Sequence, residues 1–352
     1  MQRIGICGNF GFNQNIANGQ IVKTKVIRDK LTAHFGNQHV YTIDSYLWKK
    51  RPLKILNECV RLAYKCDTII ILPAHKGIKV FAPLFNILCR IFNCKLQYSV
   101  IGGWLPEFLN NNRRLLKSVK NMDTVYVETK TMQSKLVNLG LDNVVYMPNF
   151  KDIKLVSYND LPIKYEEPYK LCTFSRVIKE KGIIDAISAV NEVNKKLGRK
   201  AFVLDIYGTV DNKFENELQI ALEKSNDNAK YMGLVEFDKS TEVLKKYFAL
   251  LFPTYYEGEG FPGTIIDAYS SGLPVIASDW RYNKEIIKND VTGFIYKLDP
   301  ANKSKGLEEI LMYIYSNPDS IITMKRTCID EAKNYASSVV MQQMIKRINK
   351  EY

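Results

Sequence analysis

Residues Glu257 to Gly293 read EGEGFPGTIIDAYSSGLPVIASDWRYNKEIIKNDVTG. Glu259 and Asp267 are separated by seven residues, between them lies the turn Gly260-Phe261-Pro262-Gly263-Thr264, and an apolar helical stretch follows the turn. Gly272-Leu273-Pro274 then leads into a short strand, Val275 to Ser278. A turn this rich in glycine leaves backbone N–H groups free and lets a ligand come close. With Thr264 opening a helix over Ile265–Ser271, unpaired amides and the positive dipole end would face the turn, a setting suited to a diphosphate. Glu259 can accept hydrogen bonds from sugar hydroxyls, and Asp267, further along the helix, can do the same for a ribose. An ordinary strand-loop-helix connection with two surface acids uses the same residue types; the length of the whole pattern argues against it.

Outward from this stretch, strands and helices alternate along the whole chain, which predicts parallel sheets with crossover helices. Strands are expected at Arg3–Cys7, Val40–Ile43, Thr68–Leu72, Leu96–Ile101, Thr124–Glu128 and Val144–Met147. The pattern lapses over the polar segment Asp152–Tyr169, read as an interdomain linker, and then restarts. The second set is Lys170–Phe174, Ala201–Ile206, Lys230–Met232, Leu250–Phe252, Val275–Ala277 and Gly293–Tyr296. Two doubly wound domains of similar size facing a cleft are the expectation, with ligands beyond the carboxyl ends of the strands. The chain divides into residues 1–152 with 336–352, and 153–335.

After the strand Lys170–Phe174 comes Ser175-Arg176-Val177-Ile178-Lys179-Glu180-Lys181-Gly182. Arg176 and Lys181 sit in the loop and at the start of the next helix. Fixed cations there would stabilise the charge that grows on a diphosphate as its bond to a sugar breaks. Arginine grips phosphate oxygens in a fork, and lysine supplies a point charge. By themselves, two such cations are more often a solvated surface.

Together these motifs resemble the retaining GT-B glycosyltransferases of the "group 1", GT4-like family. That family's E-G-F-G-L-P-x-x-E and A-x-x-x-G-x-P-V-I-A stand here as E-G-F-P-G-T-I-I-D and A-Y-S-S-G-L-P-V-I-A, and its G-R-x-x-x-x-K-G as S-R-V-I-K-E-K-G. The resemblance implies an α/β GT-B fold of two Rossmann-like domains, with the last helix, Ser337–Asn349, crossing back onto the first. It implies that Arg176, Lys181 and Glu259 carry the chemistry. Gly19, Gly208, the turn Gly260–Thr264 and Asp267 join them in holding a UDP- or GDP-linked sugar. No cofactor or metal beyond that co-substrate is implied, and transfer is of the front-face, retaining kind. Bacterial surface polysaccharide assembly is the expected setting. This chain departs from the pattern at Ser175, where glycine is usual, and at Asp267, one methylene shorter than the usual glutamate. It also departs at Gly102-Gly103-Trp104, where several relatives carry a histidine that touches the donor sugar.

The resemblance is weaker in the first half. Gly5-Ile6-Cys7-Gly8-Asn9-Phe10-Gly11 is not G-x-G-x-x-G, so a dinucleotide cofactor is not indicated. Asn9, Gln20, His75 and Trp104 are candidate acceptor contacts: Asn9, His75 and Trp104 follow strand ends and Gln20 stands at the start of a helix; Trp104 offers an aromatic face to a sugar ring. Turn, exposed-surface and core readings remain open for these four.

Charge is divided unevenly: residues 1–160 hold 23 Lys and Arg against 10 Asp and Glu, and residues 161–352 hold 27 of each. The basic half favours an anionic partner: phospholipid headgroups of a membrane surface, a diphosphate- or lipid-linked acceptor, or nucleic acid. Ile78 to Phe92, flanked by Lys76, Lys79, Arg90 and Lys95, reads first as a crossover helix with Pro83 in its first turn, and second as an interfacial helix. Seven unpatterned cysteines, no signal-like N-terminus and no long apolar run fit a cytoplasmic protein, peripheral at most on the inner face of a membrane. The alternatives are a nucleotide-sugar epimerase or hydrolase of the same fold, and a non-enzymatic nucleic-acid binder. The latter lacks a helix-turn-helix, zinc pattern or RNP-like aromatics.

Overall fold

The computed structural model describes residues 2–12 and 19–351, and of Leu47 and Phe237 the backbone only. The chain forms two compact units, Met1–Asp152 with Tyr335–Tyr352, and Ile153–Asn334. Each is built on one six-stranded sheet whose pairings are all parallel.

In the first unit the strands are β1 (Ile4–Gly8), β2 (Val40–Asp44), β3 (Thr68–Leu72), β4 (Lys95–Ser99), β5 (Thr124–Val127) and β6 (Val144–Tyr146). Their order is β2-β1-β3-β4-β5-β6. The apolar runs of β1 and β3 are buried throughout, as central parallel strands covered on both faces must be. Ile4, Ile6, Ile70 and Leu72 share a core with Ile27 and Leu31 of the helix Gly19–Phe35 and with Met344, Ile345 and Ile348 of the last helix. That last helix, Ser337–Asn349, therefore belongs to the first unit. Its start is fixed by Ser337 N–H donating to Lys151 O at 2.8 Å.

The second unit comprises β7 (Tyr169–Phe174), β8 (Phe202–Tyr207), β9 (Ala229–Gly233), β10 (Ala249–Phe252), β11 (Val275–Ser278) and β12 (Gly293–Tyr296), in the order β12-β11-β10-β7-β8-β9. Strand limits move by one or two residues from the sequence expectation, and the number and order of strands along the chain agree with it.

Two expectations are corrected. The segment after Asp152 is not a free linker but part of the second unit's packing. Val156 is buried and its N–H donates to Ser270 O at 2.9 Å, while the Tyr165 hydroxyl donates to Tyr247 O at 3.0 Å. A few apolar anchors outweigh the polar look of the segment. Pro83 lies in the second turn of the helix Ile78–Phe92, not the first. That helix buries Ile78, Phe81, Phe85 and Leu88 yet leaves Ile87 60% and Ile91 65% exposed. It covers the sheet with one face and presents an apolar face outward.

Strand order reverses between β1 and β3 in one unit and between β7 and β10 in the other. Loops leaving two such neighbours diverge, which opens a crevice beyond the carboxyl ends of the strands. All seven cysteines are buried and free. Among the described residues, no helix is long and apolar enough to cross a membrane.

Candidate active site

The second unit's switch point gathers the two sequence motifs. The loop after β7 carries Arg176 and Lys181; the loop after β10 carries Glu259. Gly182 makes their approach possible. It sits at φ +69°, and a Cβ there would lie 2.2 Å from Pro253 O, so no side chain fits between the loops. Glu180 O accepts from Tyr255 N–H at 2.8 Å and stitches them together.

Lys181 Nζ thereby reaches Glu259 Oε2 at 2.5 Å, with both side chains only 9% exposed. Thr254, itself buried, donates its hydroxyl to the same oxygen at 2.9 Å. The Lys181 ammonium also lies 5.0 Å from the Phe252 ring centroid and 5.4 Å from that of Tyr256. Two charges removed from water are tolerated only with such compensation: each other, a hydroxyl and aromatic faces. Arg176 is exposed, its guanidinium 5.2 Å from the same Tyr256 ring. One ring thus aligns both cations.

The helix Gly263–Ser270 starts at the same switch point. The Thr264 hydroxyl donates to Phe174 O at the end of β7, which fastens the helix start to the strand. Phe261 and Pro262, expected among the donor contacts, are buried. Their side chains set the path of the turn, leaving its backbone as the part able to meet a ligand. Asp267 is half-buried, with Ser240 Oγ 3.5 Å from its Oδ1. Gly208 has a backbone reason for being glycine: at φ +139°, a Cβ would lie 1.7 Å from Ser175 O, beside Arg176. That close approach holds the β8 end against the loop that carries Arg176. Chemically, the β7–β10 switch point combines an exposed guanidinium, a shielded ammonium, a shielded carboxylate and a helix N-terminus. Such a set suits an anion bonded to a hydroxyl-bearing group.

In the first unit, Asn9, Gln20 and His75 line one cavity of about 460 Å³ at the β1–β3 switch point. Trp48, Lys49, Lys50 and Lys76 complete its wall. Gly19 opens the adjoining helix, and among the described residues nothing lies within 4 Å of where its Cβ would be. The Gln20 amide donates to Leu72 O at 3.1 Å and the Asn9 side chain accepts from Gly11 N–H at 3.0 Å, so both hold backbone around the cavity. Trp104 does not line it. Its indole N–H donates to Ile101 O at 2.9 Å and its ring meets His75 edge-on at 4.9 Å, so it backs His75. Asn18, in the glycine-flanked loop before Gly19, lies outside the described residues. Among the described residues, no three His, Cys, Asp or Glu stand together as metal ligands would.

Sequence reading missed Thr254, Tyr256 and Lys325. The run Pro253-Thr254-Tyr255-Tyr256 directly precedes the signature, and its hydroxyl and rings were a usable signal. Lys325 had none. It is buried on the helix Pro318–Lys333, where its ammonium donates to Tyr247 O at 3.2 Å and to Gly272 O at 3.3 Å. It therefore braces the Gly272-Leu273-Pro274 corner from outside the motif.

The two-sheet architecture is that of GT-B proteins. Anabaena HepE, solved in complex with UDP, superposes with a TM-score of 0.74 over 99% of this chain and 100% of its own, at 17% identity. Sucrose-phosphate synthase from Thermosynechococcus elongatus gives 0.78 over 99% of each chain at 15% identity. More particularly, residues 161–334 match the family "Glycosyl transferases group 1", so the second unit is a group 1 glycosyl transferase domain. Among curated relatives, the GtfA subunit of the UDP-N-acetylglucosamine–peptide N-acetylglucosaminyltransferase of Streptococcus agalactiae is 28% identical over 212 residues. The match takes in 56% of this chain and 40% of that protein.

Proposed function

We propose that this chain is a retaining, metal-independent glycosyltransferase. It moves a sugar from a UDP- or GDP-linked donor to a glycan or lipid-linked acceptor in bacterial surface polysaccharide assembly. The observation that carries this reading is the shielded Lys181–Glu259 pair beside Arg176 and the start of the helix Gly263–Ser270.

In this account, Arg176, Lys181 and the backbone N–H groups of the Gly260–Thr264 turn, Pro262 having none, receive the diphosphate. Lys181 exchanges part of its contact with Glu259 for a phosphate oxygen, which frees Glu259 to accept from sugar hydroxyls. The bond between the anomeric carbon and the diphosphate oxygen breaks, and the acceptor oxygen bonds to that carbon on the same face. The acceptor proton passes to the departing diphosphate, whose growing charge the cations stabilise. Asp267 holds the ribose. Retention and the absence of a metal rest on the family resemblance.

The acceptor is received by the first unit's cavity, with Asn9, Gln20 and His75. The first unit holds 25 Lys and Arg against 10 Asp and Glu, and the second 25 against 27. That field suits an acceptor on the cytoplasmic face of an anionic membrane, with nucleic acid not a partner.

A thermal-shift panel of UDP, GDP, ADP and CDP sugars tests the donor class. Stabilisation by a UDP or GDP sugar is expected, followed by transfer in EDTA with the anomeric configuration kept in the product spectrum. An inverted product, or activity lost in chelator and restored by manganese, contradicts the mechanism.

A further inference from the structure

A second cavity in the first unit, about 520 Å³, adjoins the acceptor cavity, and Tyr46 lines both. One wall is the edge strand β2, with Tyr41, Thr42 and Ile43. The other is a single face of the helix Pro52–Lys65 and the residue before it: Arg51, Lys54, Ile55, Glu58, Arg61 and Lys65. These positions recur every three or four residues, so they form one stripe about 20 Å long.

The charges on this stripe are unbalanced. Asp44, which lines the cavity, is consumed by backbone: it accepts from the N–H groups of Phe10, Phe12 and Tyr46. Glu58 pairs with Lys54 at 3.8 Å. Among the described residues, Arg51, Arg61 and Lys65 have no carboxylate within 4.0 Å, nor do Lys49, Lys50 and Lys76 in the adjoining cavity. A merely solvated helix face would be expected to interleave acids, as the second unit does. Aromatic faces accompany the cations: Phe12 and Tyr46 are exposed, and Lys65 lies 5.7 Å from the Tyr41 ring. Rings suit the C–H faces of sugars, and arginines suit carboxylate or phosphate oxygens.

We propose that the β2 groove is a binding site for an anionic glycan, a chain whose repeats carry carboxylate or phosphate groups. It continues from the acceptor cavity and holds the part of the acceptor that lies away from the reacting end. This rests on the proposed acceptor role of the adjoining cavity, and it narrows the acceptor class. The groove is a tether: it raises the local concentration of a charged chain and leaves the donor chemistry to the second unit.

The experiment is direct binding by fluorescence anisotropy at physiological salt. It uses the full chain, a labelled oligogalacturonate, a glycerol-phosphate oligomer of matched charge, a neutral maltooligosaccharide of matched length, and single-stranded DNA. Arg51→Glu and Arg61→Glu, both at exposed positions, are compared with wild type, and UDP binding is measured in parallel. Saturable binding of one or both charged glycans is expected, with the preferred one identifying the anionic group. Little binding of the neutral chain is expected, and a loss of about tenfold or more in each variant, the scale of a lost charge-assisted contact. UDP binding stays unchanged. Equal binding by the neutral chain, tighter binding of DNA, or variants that bind like wild type would overturn the groove assignment. Failure of UDP to bind while the charged glycan binds through Arg51 and Arg61 would instead strike the donor reading and leave the groove standing.

Discussion

Lys181 and Glu259, 78 residues apart in sequence, meet at 2.5 Å in a pocket that leaves each side chain 9% exposed. The cation expected to grip phosphate and the carboxylate expected to hold sugar hydroxyls neutralise one another in the absence of ligand. Each group thus offsets part of the other's desolvation cost. In the proposed function, the same pair offers the donor one cation for its diphosphate and one acceptor for its hydroxyls.

Glu259→Gln keeps the shape and can still accept from Lys181 and Thr254. It should therefore remain folded, yet transfer less than a tenth as fast as wild type, a barrier increase above ~1.4 kcal/mol. Lys181→Ala leaves the Glu259 carboxylate shielded and without its cation, and should lower stability by about 3–5 kcal/mol. Denaturant titration of both variants checks the contrast. Near-normal turnover in Glu259→Gln removes Glu259 from the chemistry.

Gly182→Ala should cost about 3 kcal/mol or more, since it combines a left-handed backbone with a Cβ that meets a carbonyl oxygen. The expected readout is a lower melting temperature with loss of donor binding, because Pro253 O, 2.2 Å from that Cβ, leads the chain that carries Glu259. A variant as stable as wild type would mean the two loops can separate freely.

The fold was legible because the central strands, such as β1, β3, β10 and β11, are short apolar runs, and because glycine and proline punctuate the intervals. The site was legible where chemistry leaves a local mark, as at Arg176, Lys181 and Glu259. It was not legible where a residue acts across the fold. Lys325 braces Gly272 from a helix some fifty residues on, and Thr254 matters only because β10 lies beside β7. Phe261, Pro262 and Gly208 fit the motif and also have packing reasons that the motif alone does not reveal: two buried side chains and a close backbone approach. Trp104 is anchored by Ile101 and His75, contacts that the sequence does not reveal.

Burial pushes the Lys325 ammonium down from 10.5 to about 8. Below pH 8 the lysine is charged in both folded and unfolded chains, and the fold bears the cost of shielding it. Between about 8 and 10.5 the unfolded chain binds the extra proton, so this group makes stability rise with pH. Wild-type stability relative to Lys325→Met should therefore increase by about 3 kcal/mol from pH 7.5 to 10.5. Taking the difference cancels the opposing ionisation of buried tyrosines and cysteines. A difference that stays flat across that range shows the lysine to be normal.

The outward face of the helix Ile78–Phe92, with Ile87 and Ile91 exposed, should bring the protein down with anionic vesicles. High salt should release it, because surface attraction is screened beyond about 8–10 Å. Replacing Lys76, Lys79, Arg90 and Lys95 with glutamate should weaken co-sedimentation and leave donor hydrolysis unchanged. Equal pelleting by the variant removes this face from any membrane role.

Calorimetric titration of UDP and GDP into wild type and Arg176→Ala tests the central claim most directly. Arg176 is exposed, so its loss should change stability by no more than about 0.5 kcal/mol, and any effect on affinity reports the site itself. The account predicts that one of the two nucleotides binds wild type and binds Arg176→Ala about tenfold or more weakly, the scale of a lost charge-assisted contact. Equal affinity in the two proteins, or no binding of either nucleotide to wild type, would contradict it.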